Sequence, residues 1–594
     1  MSAILGRLYF DAPQEESGSK SQDIFAECEK RASGQRWDTV DSVVECFGVS
    51  RRSTDFYASD DVVVMVDGEC NWLDDDKDDI NPFIQEPAEK VADLYRKQKL
   101  DWLSKVQGSF ALVIVDKGTQ KVHLVRDKFG TKPIYYALTK HGWAFGSRVA
   151  GLQIYLDKSE LDSGALSEVV HFRWLVGDKK LLGGVKQVLP CHVVTLGKNK
   201  DFVSKKYWEL RFKSKGGELE SWVDKLDEAL HDYFGRMAKR YDTAGVLLSA
   251  GVDSSLLAAI ASKHFKKTVA VTPKWSHGAN PELKRALSFS EHLGIEHITP
   301  EVTDEDLLNK YREILERAEE PCRYYHAMAL YKALDAFPKD VEAVMYGEAA
   351  DTLFGSRVVD VAMAFRGRKK HFRHIPTGLQ SKLDKFIPEG LPGKLGRLKQ
   401  YASLDYETFC HRVHALESKA NPRSIFPQSS LRPMPNAALL SELMSGYVDP
   451  VQYVQSHMVY TSIVSHFETI DKMASGHGFD MLHPFICNDM CEAASGFPAH
   501  LQIIDGDTKP VLRDLAARYY PREWVYEKKI GFRVPTLEWL QGPLQNEMKI
   551  LEEEQTRARG IIDCERLLQL PLKENFELYY TAMGLERVMR QFKL

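Results

Sequence analysis

Hydrophobic and polar residues follow two different patterns along the 594-residue chain. In its first third, short runs rich in β-branched and aromatic residues are separated by turns, which is typical of β-strands. These runs occupy residues 62 to 66, 110 to 115, 121 to 127, 133 to 138 and 143 to 147. We therefore predict stacked β-sheets for this part of the chain.

The pattern changes near residues 213 to 218. Beyond this point an amphipathic segment at 221 to 240 is followed by short apolar runs at 244 to 249, 268 to 272 and 342 to 346, with helical segments between them. Such alternation predicts a parallel α/β sheet. Because 594 residues are also too many for one hydrophobic core, we predict two domains, residues 1–212 and 218–594.

Composition narrows the class of protein. Hydrophobic residues at 44% and charged residues at 27% indicate a folded globular chain. The net charge of -5 gives no reason to expect a nucleic-acid partner. No segment approaches the roughly 20 apolar residues needed to cross a bilayer, and the start MSAILGRLYFDAP lacks the pattern of an export signal. We expect a cytoplasmic protein without a membrane span.

The strongest chemical signal follows the apolar run that ends at Leu248. Residues 249 to 255 read SAGVDSS and lead into a helical pattern. A strand, a turn of small residues and a helix start present backbone N–H groups to an anion, as a phosphate loop does. Asp253 would repel phosphate there unless Mg²⁺ bridges the two, so this acid indicates a metal ion. An ordinary helix cap is the alternative interpretation.

A second acidic segment follows the run at 342 to 346. Residues 347 to 355 read GEAADTLFG, with Glu348 and Asp351 just beyond the predicted strand. Open α/β sheets bind ligands at the carboxyl ends of their strands. These two acids are therefore candidate site residues, with helix capping as the alternative.

Both segments resemble motifs of the asparagine synthetase superfamily, namely the SGGxDS loop and the GEGxDExFGG segment. Residues 467 to 490 and 505 to 540 resemble two further family segments, RVDKxxMxxSIExRxPFLD and DGxTKxxLRxAxxxxLPxxIxxRxKxGFxxP. The resemblance runs from about residue 244 to 540. It implies an adenine nucleotide α-hydrolase-like (PP-loop) domain with helical additions, which uses ATP and Mg²⁺ to convert a carboxylate into an acyl adenylate and then into an amide.

The resemblance also implies roles for individual residues. Asp253 and Asp351 would hold Mg²⁺, Glu348 would face the reacting carboxyl group, and Lys529 would contact the α-phosphate in the transition state. The other nucleotide-binding residues that it implies are Leu248, Ser249, Gly251, Ser254, Val271, Tyr346 and Gly347. The chain departs from the loop pattern at Ala250, where the family has glycine. Because a Cβ disfavours positive φ, we expect negative φ at Ala250.

The first domain resembles class II glutamine amidotransferases through residues 106 to 137, which match LxGxFAFxxxDxxxxxLxLxRDxxGxKPLYY. This implies an amino-terminal-nucleophile-type αββα sandwich. The family's nucleophilic Cys after Met1 is Ser2 here, its RGPD segment is absent from residues 46 to 57, and its NGE oxyanion segment reads Asp67-Gly68-Glu69. A carboxylate at position 67 would destabilise a negative intermediate. We therefore predict an inactive glutaminase-like domain.

Without internal ammonia, the acyl adenylate must react with free ammonia or with an amine of the substrate itself, where proximity favours ring closure. Family members without a glutaminase include β-lactam synthetases, which carry Tyr at the position of Glu348, and the macrolactam cyclases of lasso peptides. A basic segment favours a peptide substrate, although basic helix faces are usually solvated. Its residues are Arg366, Arg368, Lys369, Lys370, Arg373, Lys382, Lys385, Arg397 and Lys399.

Our leading hypothesis is a lasso peptide cyclase. Its substrate would be the core peptide of a ribosomal precursor, and a leader peptidase and a leader-recognition protein would be its partners. The alternatives are an ammonia-dependent asparagine synthetase-like enzyme, a β-lactam-synthetase-like cyclase of small molecules, and a non-catalytic scaffold.

Overall fold

The structure is a computed structural model, and it describes thirteen stretches of the chain. Ser2, Lys529 and the basic residues from 366 to 399 lie outside these stretches, so the predictions on them stay predictions. The described residues are 3–10, 35–40, 44–50, 55–72, 87–172, 174–276, 280–321, 326–360, 362–363, 424–427, 449–474, 477–527 and 534–594.

The amino-terminal part contains two six-stranded sheets whose neighbouring strands all pair antiparallel. The strands are β1 (Ala3–Tyr9), β2 (Gln35–Val40), β3 (Val44–Ser50), β4 (Phe56–Ala58), β5 (Val62–Trp72), β6 (Val106–Asp116), β7 (Lys121–Arg126), β8 (Tyr135–Leu138), β9 (Gly142–Gly146), β10 (Val185–Gln187), β11 (His192–Gly197) and β12 (Phe202–Lys206). The first sheet has the order β10-β8-β9-β1-β3-β2, and the second has the order β12-β11-β7-β6-β5-β4.

Apolar residues of these strands fill the space between the two sheets. Leu8 on β1 and Val113 on β6 belong to this shared core. A helix covers each outer face: Val91 packs on the second sheet and Leu166 on the first. The helices of this part are α1 (Pro87–Gln98), α2 (Val149–Gln153) and α3 (Ser163–Phe172). The layers therefore run helix, sheet, sheet, helix, and the predicted αββα sandwich is confirmed.

The carboxy-terminal part alternates strands and helices, as the sequence predicts. Its strands are β13 (Thr243–Leu247), β14 (Lys267–Val271), β15 (Lys274–Trp275), β16 (Glu296–Ile298), β17 (Glu301–Val302), β18 (Ala343–Met345), β19 (Asp480–Leu482), β20 (Ile503–Ile504) and β21 (Asp507–Thr508). Its helices are α4 (Leu219–Met237), α5 (Val252–His264), α6 (Pro281–Leu293), α7 (Asp304–Ala318), α8 (Ala327–Asp335), α9 (Ala350–Phe354), α10 (Pro450–Tyr460), α11 (Ser462–Ala474), α12 (Asn488–Gly496), α13 (Pro510–Ala516), α14 (Arg522–Tyr526), α15 (Thr536–Gln541), α16 (Glu554–Arg559), α17 (Cys564–Gln569) and α18 (Leu572–Gln591).

The central sheet of this part is parallel, with the order β16-β14-β13-β18-β19. Helices α4 and α5 pack on one face, where Val246 meets Leu230 and Leu256, and helices α7 and α8 pack on the other. Helices on both faces keep a parallel sheet away from water. The carboxyl ends of β13 and β18 consequently lie side by side, where the candidate site residues follow.

The last sandwich strand ends at Lys206 and α4 begins at Leu219. We retain residues 1–212 and 218–594 as the proposed domains. In the described ranges of the chain, no helix is both long and apolar enough to span a membrane.

Candidate functional site

The loop between β13 and α5 is held by its own serines. Ser254 Oγ accepts a hydrogen bond of 2.9 Å from the Ser249 backbone N–H, and Ser249 Oγ accepts one of 3.1 Å from the Gly251 N–H. The φ angle of Gly251 is -78°. Among the described non-glycine residues with positive φ, Ala250 does not occur. The expected negative φ at Ala250 is confirmed, which explains why alanine fits this loop.

The loop after β18 lies directly against the first loop. A Cβ on Gly347 would come within 3.3 Å of Asp253 Cβ and 3.4 Å of the Ser254 backbone nitrogen. Glycine therefore lets the two loops approach each other. Two residues later Ala349 has φ 75°, a left-handed conformation, at the start of α9. The family segment has glycine at this position, so Ala349 is, like Ala250, an alanine that replaces a family glycine.

Lys509 joins the two loops. Its Nζ lies 2.8 and 2.6 Å from the two carboxylate oxygens of Asp253 and 2.6 Å from Asp351 Oδ1. Burial alone would lower the pKa of Lys509, but the two aspartates raise it above its usual value. The structure thus brings together the two aspartates of the sequence analysis, through a lysine to which that analysis gave no role.

Glu348 differs from the two aspartates because its contact is a histidine. Its Oε1 lies 3.0 Å from Nδ1 of His466 on α11. Burial, followed by the carboxylates of Asp351 and Asp253, raises the pKa of Glu348 to about 7. A carboxyl group that titrates near neutrality inside a cavity is typical of acid–base sites.

A cavity of about 250 Å³ opens between these loops and helix α8. Nine of the eleven residues singled out from the sequence line it; Gly251 does not, and Lys529 lies outside the described residues. The nine are Leu248, Ser249, Asp253, Ser254, Val271, Tyr346, Gly347, Glu348 and Asp351. Residues that the sequence analysis did not select complete the wall, namely Leu247, Thr272, Pro273, His326, Ala329, Leu330, Ala333 and Ala349.

Thr272 links the cavity wall to the core of the sheet. Its hydroxyl donates a hydrogen bond of 2.6 Å to the carbonyl of Leu248 and lies 2.8 Å from Nε2 of His297. Burial lowers the pKa of His297 to about 4, so this ring is neutral at physiological pH. These hydrogen bonds among uncharged groups fix the ends of β13 and β14 beside the cavity.

Two carboxylates that contact one Nζ atom lie close enough to share a cation, and carboxylate oxygens are ligands that Mg²⁺ prefers. Asp253 and Asp351 therefore fit a magnesium site in which phosphate oxygens and water supply the other ligands. In the part of the chain that the structure describes, no group of three or more His, Cys, Asp or Glu side chains is arranged to hold a metal by itself.

A second set of charges connects the sandwich to α11. The guanidinium of Arg126 donates a hydrogen bond of 2.8 Å to Glu468 Oε1, and Lys180 Nζ lies 3.1 Å from Glu468 Oε2. Burial alone would raise the pKa of Glu468, but Lys180 and Arg126 lower it to about 2. Lys132 contacts Asp471 of the same helix and lies 4.0 Å from Asp67. We call these six side chains the inter-domain network.

Sequence comparisons assign the family, and with it the class of ATP-dependent ligases. A model of the asparagine synthase family matches residues 225–583, and a glutamine amidotransferase domain model matches residues 84–208. The first match covers more than half of the chain. The chain therefore belongs to the asparagine synthase family.

Curated relatives agree with this family. The chain is 26% identical over 484 residues to "Asparagine synthetase [glutamine-hydrolyzing] 1" of Bacillus subtilis (strain 168), covering 80% of this chain and 75% of that protein. It is 25% identical over 457 residues to "Putative asparagine synthetase [glutamine-hydrolyzing]" of Mycobacterium tuberculosis (strain ATCC 25618 / H37Rv), covering 74% and 69%. A solved glutamine phosphoribosylpyrophosphate amidotransferase from B. subtilis aligns over 50% of this chain and 65% of its own, at 10% identity and a TM-score of 0.23, which is too low to support an argument.

Proposed function

We propose that this chain closes a macrolactam ring on the core peptide of a ribosomal precursor. An Asp or Glu side chain of the peptide becomes an acyl adenylate, and the peptide's own amino-terminal amine displaces AMP. A leader peptidase and a leader-recognition protein would prepare this substrate. The observation that carries the proposal is the ion pairing of Lys132, which contacts Asp471 and lies 4.0 Å from Asp67, the residue that replaces the family's oxyanion asparagine.

That ion-paired arrangement does not favour the binding of glutamine by the amino-terminal domain. In the amidotransferase pattern, the residue at position 67 is an asparagine that stabilises a negative intermediate, whereas a carboxylate would repel it. We propose that this domain makes no ammonia. A nucleophile already attached to the substrate then has the advantage of a high effective concentration.

The cavity residues suggest how ATP would bind for the first step. The backbone N–H groups at the start of α5, together with Ser249, Gly251 and Ser254, would hold phosphate oxygens. Asp253 and Asp351 would hold Mg²⁺, which supplies positive charge to the phosphates when it is bound. Lys509 would then turn from the aspartates toward a phosphate.

The other cavity residues would position the nucleoside and the substrate. Leu248, Val271, Tyr346 and Gly347 would contact the adenosine, while Glu348 would face the activated carboxyl group. Lys529 would stabilise the charge that develops on the α-phosphate.

Incubation with ATP, Mg²⁺ and a synthetic leader-free core peptide, taken from a short open reading frame if one adjoins the gene of this chain, tests the proposal. We expect a product lighter than the peptide by one water, together with equal amounts of AMP and pyrophosphate. The same peptide with an acetylated amino terminus is the matched control, because it keeps the carboxylate and loses the nucleophile. Hydrolysis of ATP without a change in peptide mass contradicts ring closure.

The second candidate is an ammonia-dependent, asparagine synthetase-like activity. It is favoured by Glu348, which the family's asparagine synthetases share and its β-lactam synthetases replace with Tyr, and by the names of the relatives. Formation of asparagine from aspartate and ammonium, but not from aspartate and glutamine, would select this candidate over the cyclase. We do not propose the third alternative, ring closure of a small molecule, because Glu348 replaces the Tyr of the β-lactam synthetases.

A further inference from the structure

The amino-terminal domain holds the segment that connects helices α7 and α8. Glu319, the first residue after α7, has φ 56°, a left-handed conformation in which glycine is the usual residue at a helix end. Its side chain is fully buried and accepts hydrogen bonds from two backbone N–H groups of α2, at 3.1 Å from Val149 and 3.0 Å from Ala150. The strained backbone thus places a carboxylate on a helix start of the other domain.

Two cations complete the contact of Glu319. Arg148 Nε lies 3.4 Å from Glu319 Oε1, and Arg148 Nη2 donates a hydrogen bond of 3.0 Å to the carbonyl of Arg317, in the last turn of α7. Lys472 Nζ lies 3.8 Å from Glu319 Oε2. Burial alone would raise the pKa of Glu319, but Arg148, Lys472 and the two N–H groups lower it. Glu319 is therefore charged at neutral pH.

Lys180 holds the next residue of the segment. Its Nζ lies 2.5 Å from Glu320 Oε1 and 3.1 Å from Glu468 Oε2 on α11. The Lys180 side chain is buried, which alone would lower its pKa, but Glu320 and Glu468 raise it. One lysine of the amino-terminal domain thus joins the connection between α7 and α8 to α11.

Helix α8 forms one wall of the cavity. Its residues Ala329, Leu330 and Ala333 line the cavity, with His326 just before the helix. Glu319 and Glu320 lie between the end of α7 and the start of α8. Their contacts with the amino-terminal domain therefore influence where α8 lies along the cavity.

The phosphate side of the cavity is held in a different way. Ser249 and Ser254 fix the loop after β13, and Lys509 joins this loop to the one after β18. All three residues belong to the carboxy-terminal domain. The residues proposed to contact adenosine likewise stand at the ends of β13, β14 and β18. The α8 wall thus remains for the acyl substrate, the molecule whose carboxylate reacts with ATP.

We propose that the amino-terminal domain positions the substrate side of the cavity, with Glu319 and Lys180 as the positioning residues. This inference rests on the proposed amide formation, with either acyl substrate. The domain that makes no ammonia has a second role, because it holds α8 at the distance from the phosphate loop that the substrate requires. Such positioning matters for rate, since a displacement of about 1 Å at a distant residue can cost about 10²-fold.

A contact that only stabilises the domain interface is the competing explanation, and Lys132 separates the two. Lys132 belongs to the same interface, where it contacts Asp471 on α11 and lies near Asp67. Lys132→Met therefore weakens the interface away from Glu319 and Glu320. A general loss of interface stability would affect binding of substrate and of nucleotide alike in every variant, whereas a displaced α8 affects the acyl substrate alone.

The test uses the full chain with Lys180→Met and Glu319→Gln, and with Lys132→Met as the matched control. The KM of the acyl substrate is measured by ATP–pyrophosphate exchange with the acetylated core peptide, or with aspartate if the second candidate holds. Binding of the nucleotide is measured by calorimetry with α,β-methylene-ATP and Mg²⁺. Urea unfolding gives the stability of each variant.

For Lys180→Met and Glu319→Gln we expect kcat/KM for the acyl substrate to fall by about 10²-fold, mainly through KM. Affinity for the nucleotide analogue should stay within about twofold, and Lys132→Met should keep both values near those of the parent chain. Adding Glu320→Gln to Lys180→Met should recover part of the urea midpoint, because it removes an unpaired charge, but not the KM. Parallel losses of substrate and nucleotide binding, or the same KM in Lys132→Met and Lys180→Met, would overturn the proposal.

A measurement without substrate separates this inference from the proposed function. In Lys180→Met and Glu319→Gln, the backbone amides of residues 327 to 335 should exchange hydrogen about tenfold faster than in the parent chain, while those of α5 keep their rates. Unchanged exchange in α8 overturns the inference even if the enzyme makes amides. If the parent chain makes no amide while exchange in α8 does rise, the proposed function fails and the positioning contact stands.

Discussion

Two lysines of this protein each lie between two aspartates, but the aspartates of one are buried and those of the other are partly exposed. Lys132 lies between Asp67 and Asp471 at the inter-domain network, and Lys509 lies between Asp253 and Asp351 at the cavity. The side chains of the first trio are 14%, 3% and 8% exposed in the order Lys132, Asp67 and Asp471. In the second trio Lys509 is 3% exposed, whereas Asp253 is 17% and Asp351 50% exposed.

The exposure of the carboxylates distinguishes charged groups that stabilise the fold from those that can bind a ligand. In the closed trio both carboxylates are almost fully buried and lie against the lysine, so solvent and ligands have little access to them. In the open trio the aspartates keep a free path to the cavity, so a cation or a phosphate can replace the lysine contact. Buried ion pairs are weak evidence for stability, yet breaking one is strongly destabilising.

Lys509→Met gives the largest expected effect. Methionine keeps the length of the side chain and the strain of the positive φ of 57° at this position, while it removes the charge. We expect ATP–pyrophosphate exchange to fall by about 10³-fold, the upper end of what one preorganised charge supplies. The urea midpoint should change little, because the partly exposed aspartates can be solvated. An exchange rate within tenfold of the parent would contradict a phosphate-binding role.

Lys132→Met should reverse this result. It leaves Asp67 and Asp471 buried beside each other, so we expect the free energy of unfolding to fall by about 3 kcal/mol. Exchange per folded molecule should stay within threefold. The double variant Lys132→Met with Asp471→Leu should recover part of the lost stability, because it removes one buried charge. If the double variant is no more stable than the single one, the trio is not an electrostatic unit.

A buried glutamate, Glu468, and a partly exposed one, Glu348, sharpen the comparison through pH. Folding lowers the pKa of Glu468 to about 2, so its stabilisation is present above pH 4.5 and is lost as the pH falls toward 2. Folding raises the pKa of Glu348 to about 7, so its contribution is present below pH 4.5 and is lost as the pH rises through 7.

At pH 8 the two Glu→Gln variants should therefore have opposite effects. Glu348→Gln should raise the free energy of unfolding by up to about 3 kcal/mol, since 1.36 kcal/mol corresponds to one pKa unit. Glu468→Gln should lower it, because Arg126 and Lys180 lose their charged partner. Urea unfolding of both variants at pH 5 and pH 8, with EDTA present, checks the signs. A stabilising Glu468→Gln would refute the distinction between the closed and the open region.

The sequence predicted most of the fold and the site residues that follow the ends of β13 and β18, because both depend on local patterns. Alternating apolar runs marked the parallel sheet, and Asp253 and Asp351 follow neighbouring strands. His466 was missed because its contact with Glu348 depends on how α11 packs, which no local pattern records. Lys509 stands in the family segment DGxTK, so the sequence could have marked it as a candidate. Its contacts with Asp253 and Asp351, which are far away in sequence, could be found only in the structure.

The two alanines that stand where the family has glycine give the smallest effect. Ala250 has negative φ and Ala349 has φ 75°, and both are buried, so each Ala→Gly change removes a comparable methyl group. Glycine adds freedom to the unfolded chain at both positions, which costs about 0.4–1 kcal/mol. At Ala349 the change also relieves a left-handed alanine, which is worth roughly 1–2 kcal/mol.

We therefore expect Ala250→Gly to destabilise the protein and Ala349→Gly to leave it equally or slightly more stable, with the two variants about 1–2 kcal/mol apart. Thermal unfolding without nucleotide measures this difference. Equal destabilisation by both changes would mean that the strain at Ala349 is offset within its own loop. A stabilised Ala349→Gly variant with slower pyrophosphate exchange would instead show that the left-handed conformation of Ala349 helps to orient Glu348 and Asp351 toward the open cavity. The site would then lose stability in return for this orientation.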